Sequence, residues 1–271
     1  MGVEANAGNS VYGRISEASI GARPVLAIEE IAELAERNDF GESELAAIEE
    51  VFSYLAKRQH DKTIETLLRL SRLPQKAPKT FEGFDFGRIQ GRDAEALRKL
   101  PSLANLHARK NIAFIGPGGI GKTHLAQAYG RKCCLEGHKA YYLKATELKD
   151  RFQRAIEQGT VAKAVAFLVK PACLIIDEIG RCSFDRACTD LFFDVIDRRY
   201  EKEGPNTLIL TSNTQPVNWD EFFEGDDALL CALDRIFDRA SVFMMKGASF
   251  RGIECETFSV ETVPQAMKVR K

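Results

Sequence analysis

Eight consecutive residues, Gly116-Pro-Gly-Gly-Ile-Gly-Lys-Thr123, carry the clearest chemistry in this 271-residue sequence. Glycines at this spacing let backbone N–H groups wrap a polyanion, and a helix beginning beside Thr123 would present its positive end to the same charge. In that arrangement Lys122 neutralises the β- and γ-phosphates of a nucleotide and Thr123 places its hydroxyl on Mg²⁺. The candidate phosphate-binding set is Gly116, Pro117, Gly118, Gly119, Ile120, Gly121, Lys122 and Thr123, with the adjoining His124. Further on, Cys173-Leu-Ile-Ile-Asp-Glu178 ends an apolar run in two carboxylates. Asp177 suits the Mg²⁺ shell and Glu178 the polarisation of an attacking water. The run Thr207-Leu-Ile-Leu-Thr-Ser-Asn213 ends in an amide, Asn213, able to hydrogen-bond that water or the γ-phosphate. Leu233-Asp-Arg-Ile-Phe-Asp-Arg239 places Arg235 and Arg239 four apart on one helix face. Guanidinium forks match phosphate oxygens, although the same spacing also serves surface pairs with Asp234 and Asp238.

These groups act together only if their strands end at one edge. Apolar runs at Asn111–Ile115, Ala140–Leu143, Ala172–Asp177, Thr207–Ser212 and Ser241–Met245 read as strands, with helices over 122–136, 146–158, 160–169, 185–203 and 227–238. Strands apolar almost throughout and alternating with helices predict a parallel sheet covered on both faces, whose ligands gather at the carboxyl ends of the strands. The fold expected is therefore α/β, a parallel sheet flanked by helices.

Ahead of this unit the texture differs. Residues 1–22 are rich in Gly, Ser, Ala and Asn and read as a flexible arm. Val25, Ile28, Ile31 and Leu34 have helical spacing, with Asn38-Asp39 and Gly41 as a stop; a second pattern runs from Leu45 through Leu68 and ends before Pro74. Residues 23–78 thus read as a small all-helical unit, with a linker at Leu73–Lys79 marked by two prolines. Phe81, Phe84 and Phe86 need a surface to pack against, and a short helix is expected over 92–106. Residues 79–252 form the α/β domain and 253–271 a tail.

The net charge of −1 hides an asymmetry. Residues 1–56 hold 3 Lys+Arg against 11 Asp+Glu, residues 57–110 hold 13 against 6, and the remainder 22 against 22. A basic segment containing Lys57, Arg58, Lys62, Arg69 and Arg72 can meet nucleic-acid phosphates or pair with the acidic stretch before it. Seven cysteines without a C-x-x-C pair argue against zinc and disulfide frameworks and for reduced thiols, with Cys173 in the core. No apolar run approaches a membrane span and the N-terminus carries no readable secretion signal, so a cytoplasmic location is expected.

Taken in order, the motifs resemble those of an AAA+ ATPase: Walker A at 116–123, Walker B at 173–178, sensor 1 at Asn213 and an arginine element at 234–239. The segments KTFEGFDF, NIAFIGPGGIGKTHLA, CLIIDEIG, LFFDVIDRRYEK, LILTSN, WDEFFEGDDALLCALDRIFDRA and KGASFR resemble the IstB-like transposition helper ATPases, relatives of the DnaC-like helicase loaders, over residues 57–252. The resemblance implies Mg²⁺-dependent ATP hydrolysis, ATP-dependent self-association, duplex DNA and a transposase as partners, and a core without a C-terminal lid. It also implies a trans-acting role for Arg239, then Arg235, and a nucleotide or neighbour contact for Arg251, which stands in Ser-Phe-Arg where the family has Ser-Tyr-Arg. Such helpers are more uniformly basic before the Lys-Thr-Phe element than residues 24–50 are here. A helicase loader gripping single-stranded DNA shares every motif. A nucleotide-controlled interaction module with negligible turnover is the alternative of another class, and Glu178 argues against it.

Overall fold

The computed structural model describes residues 10–22 and 25–250. Part of the stretch expected as a flexible arm is helix α1 (Val11–Ala22), and its small residues are the reason for the difference. Gly13 and Ser19 are buried, and a Cβ on Gly21 would stand 2.9 Å from that of Ala56, so small side chains let α1 approach a neighbouring helix closely. Ser19 and Ser16 hydrogen-bond the backbone of Leu26. Helix α2 (Ile28–Asn38) buries Ile31 and Ala35, and Asp39 ends it with φ +54°. Helix α3 (Glu42–Leu70) closes a small core of Ile15, Ile31, Ala35 and Leu45 at its first turns. Its 29 residues extend roughly 43 Å. Val51 and Tyr54 are exposed on the face turned away from α1, and residues 57–63 are exposed throughout, before Leu67 and Leu68 reach the main core.

The main core begins earlier than the prolines suggest. Leu73 is buried, and the Ser71 carbonyl accepts from the Tyr142 N–H at 2.8 Å. The single helix expected over 92–106 is instead α4 (Ala94–Arg98), a 3₁₀ turn at Leu100–Ser102 and α5 (Ala104–His107). Pro101 starts the 3₁₀ turn and Leu103, at φ +55°, breaks the helical path.

The strands β1 (Asn111–Ile115), β2 (Ala140–Lys144), β3 (Cys173–Ile179), β4 (Thr207–Ser212) and β5 (Ala240–Met244) pair in the order β2-β3-β4-β1-β5, all parallel. Side chains alternate between two cores. Ala113, Ile115, Leu174, Ile176, Leu208 and Leu210 face one; Ile112, Phe114, Cys173, Ile175 and Ile209 face the other. Helix α6 (Lys122–Leu135) covers the second face, together with Phe81, Phe84 and the 97–106 segment. Helices α7 (Ala145–Glu157), α8 (Val161–Val169), α9 (Arg186–Glu201) and α10 (Asp226–Asp238) cover the first. The α/β architecture expected from the strand–helix alternation is present. Among the described residues no helix follows β5, and none is long and apolar enough to cross a membrane.

Candidate nucleotide site

The loop between β1 and α6 opens at the carboxyl edge of the sheet. Gly116 (φ +150°), Gly119 (φ +83°) and Gly121 (φ +90°) occupy backbone conformations that side chains rarely adopt. Each is also crowded: a Cβ would collide with the Met245 carbonyl at Gly116, the Ser249 hydroxyl at Gly119 and the Phe84 ring at Gly121. The segment after β5 lies against the loop, and the Phe250 N–H donates to the Gly119 carbonyl at 2.8 Å. Arg88 stacks over the Phe250 ring at 3.9 Å. Beside them a cavity of about 720 Å³, lined by Ile120, Arg88, Ala94, Leu97 and Phe250, opens next to the loop, a size ordinary for small-molecule ligands. Phe81, Phe84 and Phe86 do not line it; Phe81 and Phe84 are buried against α6 and seal the domain edge.

Lys122 is buried and folded back on its loop, donating to the carbonyls of Gly116 (2.7 Å) and Pro117 (2.6 Å) and to Asn213 Oδ1 (2.8 Å). The structure therefore brings Asn213, one residue past β4, to the same amine. Gly118 is exposed at the crest. His124 is committed elsewhere: Nε2 lies 2.8 Å from the Thr80 carbonyl and the ring meets Phe84 edge-on, bracing α6 against the preceding segment.

Thr123 donates its hydroxyl to Asp177, 2.9 and 3.2 Å from the two carboxylate oxygens. Asp177 is 1% exposed and also accepts from Tyr142 Oη at 2.7 Å and from the Thr211 hydroxyl. Burial and the adjacent carboxylate push the Tyr142 phenol well above its ordinary range, so it stays a donor. A hydroxyl beside a carboxylate is a pair of hard oxygen donors, which fits Mg²⁺, an ion that keeps waters and phosphates as its other ligands. Among the described residues no group of three or more His, Cys, Asp or Glu side chains is arranged for a metal.

Glu178 sits where the β3–β4 register slips between Ile176 and Ile179, at φ +62°. Its N–H donates to Thr211 Oγ1 at 2.9 Å and its carboxylate pairs with Lys144 Nζ at 3.1 Å. The irregularity turns two successive acids to different tasks: Asp177 buried toward Thr123, Glu178 partly exposed. Tyr142, Lys144 and Thr211 escaped sequence reasoning. The signal available was their position at the carboxyl ends of neighbouring strands, but only the strand order places them beside β3.

Arg235 and Arg239 lie apart from this cluster. Arg239 precedes Ala240, which pairs with Asn111 at the start of β1, whereas Gly116 follows the end of β1; five residues of strand, roughly 16 Å, separate them. Arg235 pairs with Asp197 at 2.6 Å and Arg239 with Asp238 at 3.6 Å. Arg251 lies outside the described residues. Lys57, Arg58, Lys62 and Arg69 are exposed on α3, and at 100° per residue Arg58, Lys62 and Arg69 fall within an arc of about 40°. Arg72 follows the helix and is tied to Glu147 and Tyr141.

Residues 24–255 match the family described as IstB-like ATP binding protein. An insertion-sequence ATP-binding protein of Geobacillus stearothermophilus is 40% identical over 191 residues, 70% of this chain and 74% of that protein. Its counterpart in Pseudomonas aeruginosa is 36% identical over 71% of each chain. Among solved structures, the replication initiator DnaA bound to AMPPCP and single-stranded DNA superposes with a TM-score of 0.53 at 22% identity, covering 65% of this chain and about half (52%) of that one. DnaI superposes with a TM-score of 0.51 at 16% identity, covering 68% and 93%. These likenesses show the fold, an α/β core built on a parallel sheet. The sequence relatives show more: the chain belongs to the IstB-like ATP-binding protein family.

Proposed function

We propose that this protein is an ATP-hydrolysing helper of transposition, which assembles on duplex DNA through subunit-spanning nucleotide sites and recruits or stimulates a transposase. The observation that carries the reading is the separation of its parts. Lys122, Thr123, Asp177, Glu178 and Asn213 gather at one edge of the sheet, while Arg235 and Arg239 stand at the other. Those arginines cannot reach phosphates in their own loop, but an adjacent copy could receive them.

On nucleotide binding, Lys122 exchanges the Gly116 and Pro117 carbonyls for phosphate oxygens, and Asn213, freed from the amine, turns toward the γ-phosphate. Thr123 and Asp177 would hold Mg²⁺, which neutralises charge on the phosphates when bound. Tyr142 and Thr211 hold the Asp177 carboxylate in place by donating to it. Glu178 accepts the proton of the attacking water after parting from Lys144. Arg239 from the adjacent copy stabilises the charge that develops on the transferred phosphoryl group, so bound ATP favours assembly and hydrolysis loosens it. The α3 face of Arg58, Lys62 and Arg69 supplies cations for DNA phosphates.

Sedimentation with ATP and duplex DNA tests the assembly: oligomers are expected, and a strict monomer under both conditions refutes it. DNA-stimulated phosphate release above that of Glu178→Gln is expected; equal rates would leave only a nucleotide-controlled binding module. Competition between duplex and single-stranded probes at several salt concentrations separates a transposition helper from a helicase loader.

A further inference from the structure

Four arginines meet at the edge of the sheet opposite the phosphate loop. Arg109, Arg199, Arg235 and Arg239 line one cavity of about 230 Å³, with Asn111 and Asn206. Each differs in how far its charge is already used. Arg199 is fully buried and spends both terminal nitrogens on backbone carbonyls and Asn206, leaving Nε without a partner. Arg235 is paired with Asp197 and Arg239 with Asp238, whose carboxylate also accepts from Tyr200. Arg109 gives one N–H, to the Tyr200 carbonyl at 2.9 Å. Among the described residues that line the cavity none is a carboxylate, and Asp197 and Asp238 meet two of its four arginines from outside the lining.

Arg109 is also an exception to local rules. It follows the end of α5 at φ +54°, a position where glycine or asparagine is usual, because a side chain there costs about 1 kcal/mol. The turn is otherwise ordinary, with the Lys110 N–H donating to the Asn105 carbonyl at 2.8 Å. From this position the Arg109 guanidinium reaches the arginine-lined cavity. Its neighbour is fixed: the Asn111 N–H donates to the Arg239 carbonyl at 2.8 Å, holding the starts of β1 and β5 side by side.

We propose that Arg109 joins Arg239 in contacting the terminal phosphates of the adenine nucleotide held by an adjacent copy of the chain, making that contact a clamp of two guanidinium groups. The proposal rests on the subunit-spanning site described above. A polyphosphate suits the cavity because several oxygens can engage two planar forks at once. Asp238 lies beside the clamp and is displaced from Arg239 as phosphate arrives.

The test uses Arg109→Gly, which relieves the backbone while removing the charge. A purely structural Arg109 predicts a melting temperature and turnover that move together. The clamp predicts a melting temperature unchanged or raised, nucleotide affinity of isolated subunits within about twofold, and DNA-stimulated kcat lowered roughly 10- to 100-fold, the range of one charge-assisted hydrogen bond. Arg109→Lys recovers part of the loss. Mixing Arg109→Gly with Glu178→Gln restores turnover, since the second protein brings an intact Arg109 to the nucleotide of the first. Turnover of Arg109→Gly within twofold of the parent overturns the proposal, as does a loss that mixing fails to restore while an Arg239→Ala loss is restored. If neither variant recovers on mixing, the subunit-spanning site itself is refuted and the clamp with it.

Discussion

Glu178 is held by Lys144 at 3.1 Å, and the strength of that hold sets how readily the carboxylate can serve water. The two side chains are 48% and 40% exposed, so both charges remain solvated and the pair belongs with surface ion pairs, worth about 0.2–1 kcal/mol. If Glu178 must leave Lys144 before it accepts a proton, Lys144→Ala removes that cost. Basal turnover then rises by roughly 1.4- to 5-fold, from the conversion of 1.36 kcal/mol per factor of ten. Lys144→Met, which keeps the apolar stem, gives the same rise. Added salt raises the parent rate toward that of the variants, because an exposed pair is partly screened. Steady-state phosphate release without DNA is the assay. A rate that falls to the Glu178→Gln level would show that Lys144 is needed for the chemistry and refute the reasoning. A rise far above tenfold would require a pair much stronger than its exposure permits.

Replacing Arg199 by Met leaves the carbonyls of Pro171 and Thr207 and the Asn206 amide without their common donor, at a cost of roughly 3–5 kcal/mol. At 2–4 °C per kcal/mol the melting temperature drops by about 6–20 °C, and a calorimetric shift under 3 °C would contradict this role. Gly119→Ala places a side chain at φ +83° and against Ser249, so fluorescent-nucleotide titration should show affinity lowered by an order of magnitude or more; parental affinity would mean that the loop tolerates reshaping. Simultaneous Arg58→Ala, Lys62→Ala and Arg69→Ala changes reduce the slope of log K against log salt for duplex DNA by up to about 2.7, whereas Arg72→Ala, already tied to Glu147, leaves it nearly unchanged. An unaltered slope in the triple variant would place the DNA elsewhere.

The strands and the loop were legible because their signals are local. Apolar runs buried on both faces need no knowledge of their neighbours, and a glycine-rich turn between a strand and a helix announces itself. The partners of Asp177 were not legible, because Tyr142 and Thr211 reach it from adjacent strands and strand order is a property of the fold. Nor was α1: Gly13, Ser19 and Gly21 read as flexible composition, yet they serve close helix packing. Pro101 misled less than Leu103, whose left-handed conformation has no sequence signature in a leucine. The tilt of His124 toward Thr80 rather than phosphate likewise depends on how the 80–86 segment folds back on α6.

Two hydrogen bonds at β2 give α3 a further property. Tyr142 donates its hydroxyl to Asp177 and its N–H to the carbonyl of Ser71, the residue that ends α3. One residue thus braces the buried carboxylate and anchors the foot of a rod roughly 43 Å long, exposed over residues 57–63. With its pivot at Ser71, a tilt of roughly 5° would sweep Glu42 and the bundle it carries through about 4 Å, the arc of an arm that long. A displacement too small to notice beside the phosphates becomes, at the tip, comparable to the width of a side chain.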